Sequence, residues 1–160
     1  MTLVLIINAV DQSRYPFLAD DNDLDFQFLS EGPNGRIEKV VKYSLRNIEG
    51  TSFLNLAFGD WTEETNSLDD KATSNNRDRD KILATVAATV TVVTKRFPDI
   101  PVFAQGVTPA RTRLYQMGIS ANLSEIEQTL DVFGLINGRP ERFRRNVNYE
   151  AFLVYRKRNR

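Results

Sequence analysis

The chain contains no cysteine and no histidine. The first absence rules out a disulfide framework and any thiolate metal site, and the second removes the commonest zinc ligand and the commonest general base. Any catalysis must therefore run on carboxylates, tyrosine, serine or threonine, lysine or backbone groups. Long apolar runs are missing too, and no stretch approaches the roughly 20 residues of a membrane span. The apolar run 3–7 is short and follows no basic region, so it reads as a strand and not as a signal peptide. These absences predict a soluble cytoplasmic protein with no membrane association.

Apolar material itself is ample. A chain of 160 residues with 41% hydrophobic content fits a single domain over 1–160, large enough to bury roughly two-thirds of its unfolded surface. The formal net charge is zero but unevenly spread. Residues 139–160 hold eight Lys/Arg and two acids, a local charge of +6, against 13 basic and 19 acidic residues, or −6, in 1–138. Local potential steers encounters more than net charge does. A basic end on an acidic body thus points to self-association as a homo-oligomer or to an anionic partner, nucleic acid included. The plainer alternative is a hydrated tail over 156–160.

Residues 24–58 read as an antiparallel meander. Phe26 and Phe28 alternate with Asp25 and Gln27, residues 32–35 supply turn chemistry, and Ile37, Val41, Tyr43 and Leu45 fall on one face of a second strand. After a turn over 47–50, Leu54, Leu56 and Phe58 share a face, with Asn55 opposite. The polar segment 59–74 carries the only tryptophan, Trp61, and reads as a long loop. Ile82, Val86, Val90, Val93 and Phe97 then recur at helical spacing, which predicts a helix over 76–97 despite its many β-branched residues. Residues 102–104 read as a short buried strand. Thr108 before Pro109 is a helix start, with Ala110, Leu114 and Met117 as the expected inner face and Gly118 as the expected stop. A helical turn over 124–128, a strand over 131–136, a turn at Asn137 and Gly138, and a last strand over 149–155 complete the chain. The class is α+β (α/β): one mostly antiparallel sheet with a single β-α-β-α unit.

Two helix starts follow apolar strands, 53–58 leading to 75–81 and 102–106 leading to 108–113, and both are crowded with arginine. Strand carboxyl ends and helix amino ends meet at one edge of such a sheet, where free backbone N–H groups favour anions. A crevice there is the candidate site, with Asn55, Asn76, Arg77 and Arg111 as ligand-binding candidates and Asp60 and Tyr115 as candidates for proton transfer. Each has a structural alternative. Arg111 either clamps an anion or pairs with Asp60. Asn55 either braces a loop or faces the crevice, Asn75 and Asn76 serve equally as helix caps, Arg113 reads as solvated, and Tyr115 as a packing residue. Asp60, Asp69 and Asp70 read as hydrated carboxylates, so no metal is expected, and no cofactor.

The order strand, strand, strand, loop, helix, strand, helix, strand, strand and the run Leu114-Tyr115-Gln116-Met117-Gly118-Ile119 resemble the acetyl-CoA-dependent N-acetyltransferase fold, a resemblance that covers about residues 53–136. The resemblance implies a pyrophosphate on the first helix start and Tyr115 as the acid. The glycine-rich phosphate loop of that family is absent, with Ser74-Asn75-Asn76-Arg77-Asp78-Arg79-Asp80 in its place, so acetyl transfer is not expected. Closer is a resemblance to an uncharacterised family of bacterial proteins of this length, known only as a domain of unknown function. It rests on Asn55 to Asp60, Ser74 to Asn76, Lys81 to Val86, Ala110 to Tyr115 and Tyr149 to Phe152. It implies a bacterial source and an intact domain, here either a small-molecule or partner-binding domain, an acyltransferase-like enzyme, or one member of a toxin–antitoxin or phage-defence pair.

Overall fold

The computed structural model describes residues 4–6, 13–62, 64, 67–69 and 76–158. Among these, ten strands form one sheet: β1 (Val4–Ile6), β2 (Phe17–Ala19), β3 (Asp25–Gly32), β4 (Gly35–Ile48), β5 (Thr51–Thr62), β6 (Ser67–Asp69), β7 (Val102–Ala104), β8 (Leu130–Ile136), β9 (Arg139–Arg142) and β10 (Ala151–Arg156). Helices α1 (Arg79–Arg96) and α2 (Pro109–Ala121) and the short α3 (Leu123–Ile126) complete the fold. The sheet order is β1-β2-β3-β4-β5-β7-β10-β8-β9, with β6 beside β5. Every pairing is antiparallel except β5 with β7. The single β-α-β-α unit β5-α1-β7-α2 supplies that parallel pair.

The meander forms as its alternation predicts. Phe26, Val41 and Phe58 lie side by side across β3, β4 and β5, as do Tyr43, Leu56 and Ala104 across β4, β5 and β7. The connecting turn at Glu49 and Gly50 takes positive φ at both residues, which suits a two-residue hairpin. The expected loop over 59–74 is shorter than its sequence suggests: β5 continues to Thr62, and Ser67–Asp69 folds back on it as β6. Strands β2, β6 and β9 are too short to leave a periodic signature.

Both long helices cover one face of the sheet. Leu83, Val86 and Val90 of α1 and Tyr115, Gly118 and Ile119 of α2 meet Leu56, Val102, Phe152 and Val154 around an apolar cavity of about 60 Å³. Helix α1 keeps the predicted inner face, with Ile82, Val86, Val90 and Val93 buried. Its buried threonines are compatible with helix because each hydroxyl returns to a carbonyl of the preceding turn: Thr85 to Lys81, Thr89 to Val86 and Thr94 to Val90. Two expectations for α2 are corrected. Its inner face is Thr112, Tyr115 and Gly118, while Met117 is exposed, and the helix runs on past Gly118 to Ala121. Gly118 is a packing residue: a Cβ there would lie 2.9 Å from the Leu83 Cβ of α1, so only glycine lets the helices approach this closely.

Residues 139–158 fold back into the sheet, and β10 inserts between β7 and β8. Along β10 the core side is Phe152 and Val154, with Leu153 and Tyr155 opposite. No helix packs on that opposite face among the described residues. It carries Phe53, Phe103, Phe133, Leu153 and Tyr155 on the β5-β7-β10-β8 half, and Gln27, Glu38, Lys42 and Ser44 on the β3-β4 half. None of the described helices is long and apolar enough to cross a membrane.

Candidate functional site

Strands β5 and β7 pair over three residues only, Leu54 with Val102, Asn55 with Phe103 and Leu56 with Ala104. Beyond this β7 ends and the chain turns into α2, while β5 continues to Thr62 and takes β6 as its neighbour from Asp60 onward. The two parallel strands therefore part at Ala57, and the start of α2 lies at the opening.

That start is built from local sequence. Thr108 is extended and its hydroxyl accepts from the Arg111 N–H at 3.1 Å. Pro109 follows at the first helical position, where a missing N–H costs nothing. The Gly106 N–H donates to the Thr112 hydroxyl at 3.0 Å, and a Cβ on Gly106 would fall 2.4 Å from the Thr112 backbone nitrogen. The strand exit is thus pressed against the helix, an approach that requires glycine. No acidic residue occupies the first turn. Val107, Thr108, Pro109 and Ala110 are exposed and Arg111 is half-buried, with its guanidinium 5.5 Å from the centre of the Phe58 ring.

The start of α1 is built differently. It begins at Arg79 with Asp78 as the N-cap residue, later than the expected Asn76. Asp78 makes no side-chain cap bond to its own helix. Its carboxylate instead accepts from the Tyr15 hydroxyl and the Ser30 hydroxyl, each at 2.6 Å. Burial and the neighbouring Asp78 carboxylate push the Tyr15 phenol above its ordinary value. Asn76 is buried, and its amide donates to the Ser30 hydroxyl and the Gly35 carbonyl while its oxygen accepts from the Asn34 N–H. One amide bond ties the 32–35 turn to the helix start and the other ties Ser30 of β3 to it. Arg77 follows in the left-handed region at φ 57 and is exposed.

The sequence candidates thus divide. Arg111 and Tyr115 are one turn apart on α2, with Tyr115 buried in the wall of the apolar cavity. Asp60 is the next residue after Phe58 on the same face of β5, where it forms an ion pair with Lys39. Lys39 is 3% exposed, and this charge in the core was not among the sequence candidates. The signal was available: Ile37, Val41 and Tyr43 mark an inward face on which position 39 is the break in the pattern. Asn55 points to the helix-free face, between Ser44 and Phe103. Asn76 and Arg77 belong to the α1 start. Asp70 and Asn75 lie outside the described residues.

Deep in the same core the Tyr43 hydroxyl is hydrogen-bonded to that of Thr89 at 2.8 Å, and burial raises its phenol well beyond the ordinary range. It is a packing group and not a proton carrier.

The model of a family of unknown function (DUF6934) matches residues 11–157. No curated protein and no solved structure matches the chain.

Proposed function

We propose that this chain, which belongs to the family of unknown function DUF6934, is a binding domain for a small anionic ligand taken at the start of α2. One observation carries the reading: where β5 and β7 part, α2 presents a first turn with no acidic residue and with Arg111 beside it. A helix amino end concentrates partial positive charge and backbone donors. Arg111 adds a planar fork suited to phosphate or carboxylate, and the Phe58 ring gives its guanidinium a surface to lie on. The Lys39–Asp60 pair lies one residue further along the same face of β5 and supplies a charged wall.

The order β3-β4-β5-β6-α1-β7-α2-α3-β8-β9-β10, with the short β6, α3 and β9 as additions, and the parallel β5–β7 pair support an N-acetyltransferase-like topology as the nearest architectural guide. They do not carry acetyl transfer with them. In such a scheme the pyrophosphate would meet the α1 start, which Asp78 and Asp80 make acidic, and the acid would be Tyr115, which is only 8% exposed.

Titration calorimetry with inorganic pyrophosphate and with acetyl-CoA tests this reading. Binding of pyrophosphate that falls about tenfold or more in Arg111→Ala and survives Arg77→Ala is the expected result, since one charged hydrogen-bonding group contributes roughly 1.5–3 kcal/mol. No binding, or binding indifferent to Arg111, would overturn it. Micromolar acetyl-CoA binding accompanied by turnover lost in Tyr115→Phe would replace it with the enzyme reading.

A further inference from the structure

The helix-free face holds a second feature, at the far end of the sheet from the α2 start. Strands β9, β8 and β10 form the floor of an open groove of about 940 Å³, with Phe133 and Tyr155 rising from β8 and β10 and Arg142 from β9. Lys157, which also donates to the Glu127 carbonyl, and Arg158 close its end, so that with Arg142 three cations line a groove whose one carboxylate is Asp131, while Arg156 turns to the helix face and donates to the Thr91 carbonyl. Phe133 and Tyr155 meet edge to face with ring centres 5.6 Å apart. The Arg142 guanidinium covers Phe133 at 5.5 Å, and Tyr155 is 42% exposed. The groove therefore offers two flat surfaces, the outer plane of Arg142 and the ring of Tyr155, within a field of positive charge.

We infer that this groove binds single-stranded nucleic acid, with one base stacked on Tyr155 and the backbone phosphates taken by Arg142, Lys157 and Arg158. An open antiparallel sheet that presents aromatic rings and cations from neighbouring strands has the two properties such a ligand needs: π-faces for unpaired bases and charge for the phosphates. The ion pairs already in place do not oppose it. Arg142 with Asp131 and Arg158 with Asp99, at 3.2 and 3.1 Å, are solvent-facing pairs, and such pairs exchange readily for a phosphate. A second copy of the chain fits less well, because two-fold pairing of this groove sets its cations against the same cations of the partner. A duplex fits less well because its base faces are covered. The site is separate from the α2 start and does not depend on it.

Fluorescence anisotropy with labelled oligo-dT and oligo-U of about ten nucleotides, a length within the usual span of such sites, provides the test. Tyr155→Ala should weaken binding about tenfold and Tyr155→Phe should restore it. Lys157→Ala with Arg158→Ala should flatten the slope of log affinity against log salt by about 1.4, two contacts at about 0.7 each. Circular dichroism melts of each variant separate loss of the groove from loss of the fold, and Tyr155 is exposed enough for its variants to fold. Failure to bind at low salt, binding indifferent to Tyr155→Ala, or tighter binding of the matching duplex would each overturn the inference. So would a concentration-dependent dimer that Tyr155→Ala abolishes without any oligonucleotide binding.

Discussion

Helices α1 and α2 each follow a strand that ends at the same edge of one sheet, yet one start is closed by a carboxylate and the other is capped by a neutral hydroxyl behind exposed residues 107–110. At α1 the carboxylate of Asp78 stands at the positive end of the helix and is held there by Tyr15 and Ser30, while Asn76 fastens the β3–β4 hairpin over it. The helix end has in effect been given an internal anion. At α2 the cap is the neutral Thr108, the first turn has no acid, and it carries the cation Arg111. Two starts that read alike in sequence therefore differ in the charge that stands at the helix end.

Removing the internal anion should break this comparison most strongly. Asp78→Ala leaves the buried Ser30 hydroxyl without its acceptor and the Tyr15 hydroxyl with only the Glu31 carbonyl at 3.2 Å, and an unpaired buried donor costs roughly 1–3 kcal/mol. A loss of about 3 kcal/mol in urea unfolding is expected. A loss below about 0.5 kcal/mol, the usual size of a neutral surface change, would mean that the α1 start is not closed by this network. Next in size is Gly106→Ala. Its Cβ would collide with backbone atoms of Arg111 and Thr112 at 2.6 and 2.4 Å, so the strand exit and the α2 start must separate, at about 2 kcal/mol. The same variant should lose pyrophosphate affinity while leaving the α1 start intact, which hydrogen exchange at the amides of 79–82 can report. Thr108→Ala removes only the cap and should cost about 1 kcal/mol, read from the same unfolding curves.

The contrast between the two starts was half legible in the sequence, for a physical reason. Everything that makes the α2 start lies within a few residues: Gly106, Thr108, Pro109 and Thr112 state it locally. What closes the α1 start comes from far away, since Tyr15 is 63 residues from Asp78 and Gly35 is 41 residues from Asn76. No periodicity or cap rule reports on such partners, so Asn76 read equally as cap or ligand group. The meander was legible because its alternation is long. The phase of α2 was not, because Leu114 and Met117 outweigh Thr112 and Gly118 on any hydrophobic reading, whereas the approach of α1 selects the smallest residue. Position 39 is the reverse case: a lysine breaks an apolar face in the sequence, and in the fold it is a buried charge with Asp60 as its partner.

The smallest expected effect is one of pH. The Tyr15 phenol is raised above its ordinary value of about 10, mainly by burial and further by the Asp78 carboxylate it donates to. A raised phenol contributes stability that is fully present below its unfolded-state value and is lost as pH rises through the folded-state value. The α1 start should therefore loosen on the alkaline side of pH 10, when a phenolate would stand against a carboxylate 2.6 Å away. Tyr43 and Tyr149, both raised first of all by burial, titrate in the same direction, so the measurement belongs in a Tyr43→Phe, Tyr149→Phe background. There, alkaline loss of stability should be smaller again in Asp78→Asn, whose amide can donate to the phenolate that the carboxylate repels. Unfolding curves taken at stepped pH, with phenolate absorbance followed in parallel, would reveal it. Equal alkaline loss with and without the Asp78 carboxylate would place the sensitivity elsewhere in the fold and remove the electrostatic part of the contrast between the two helix starts.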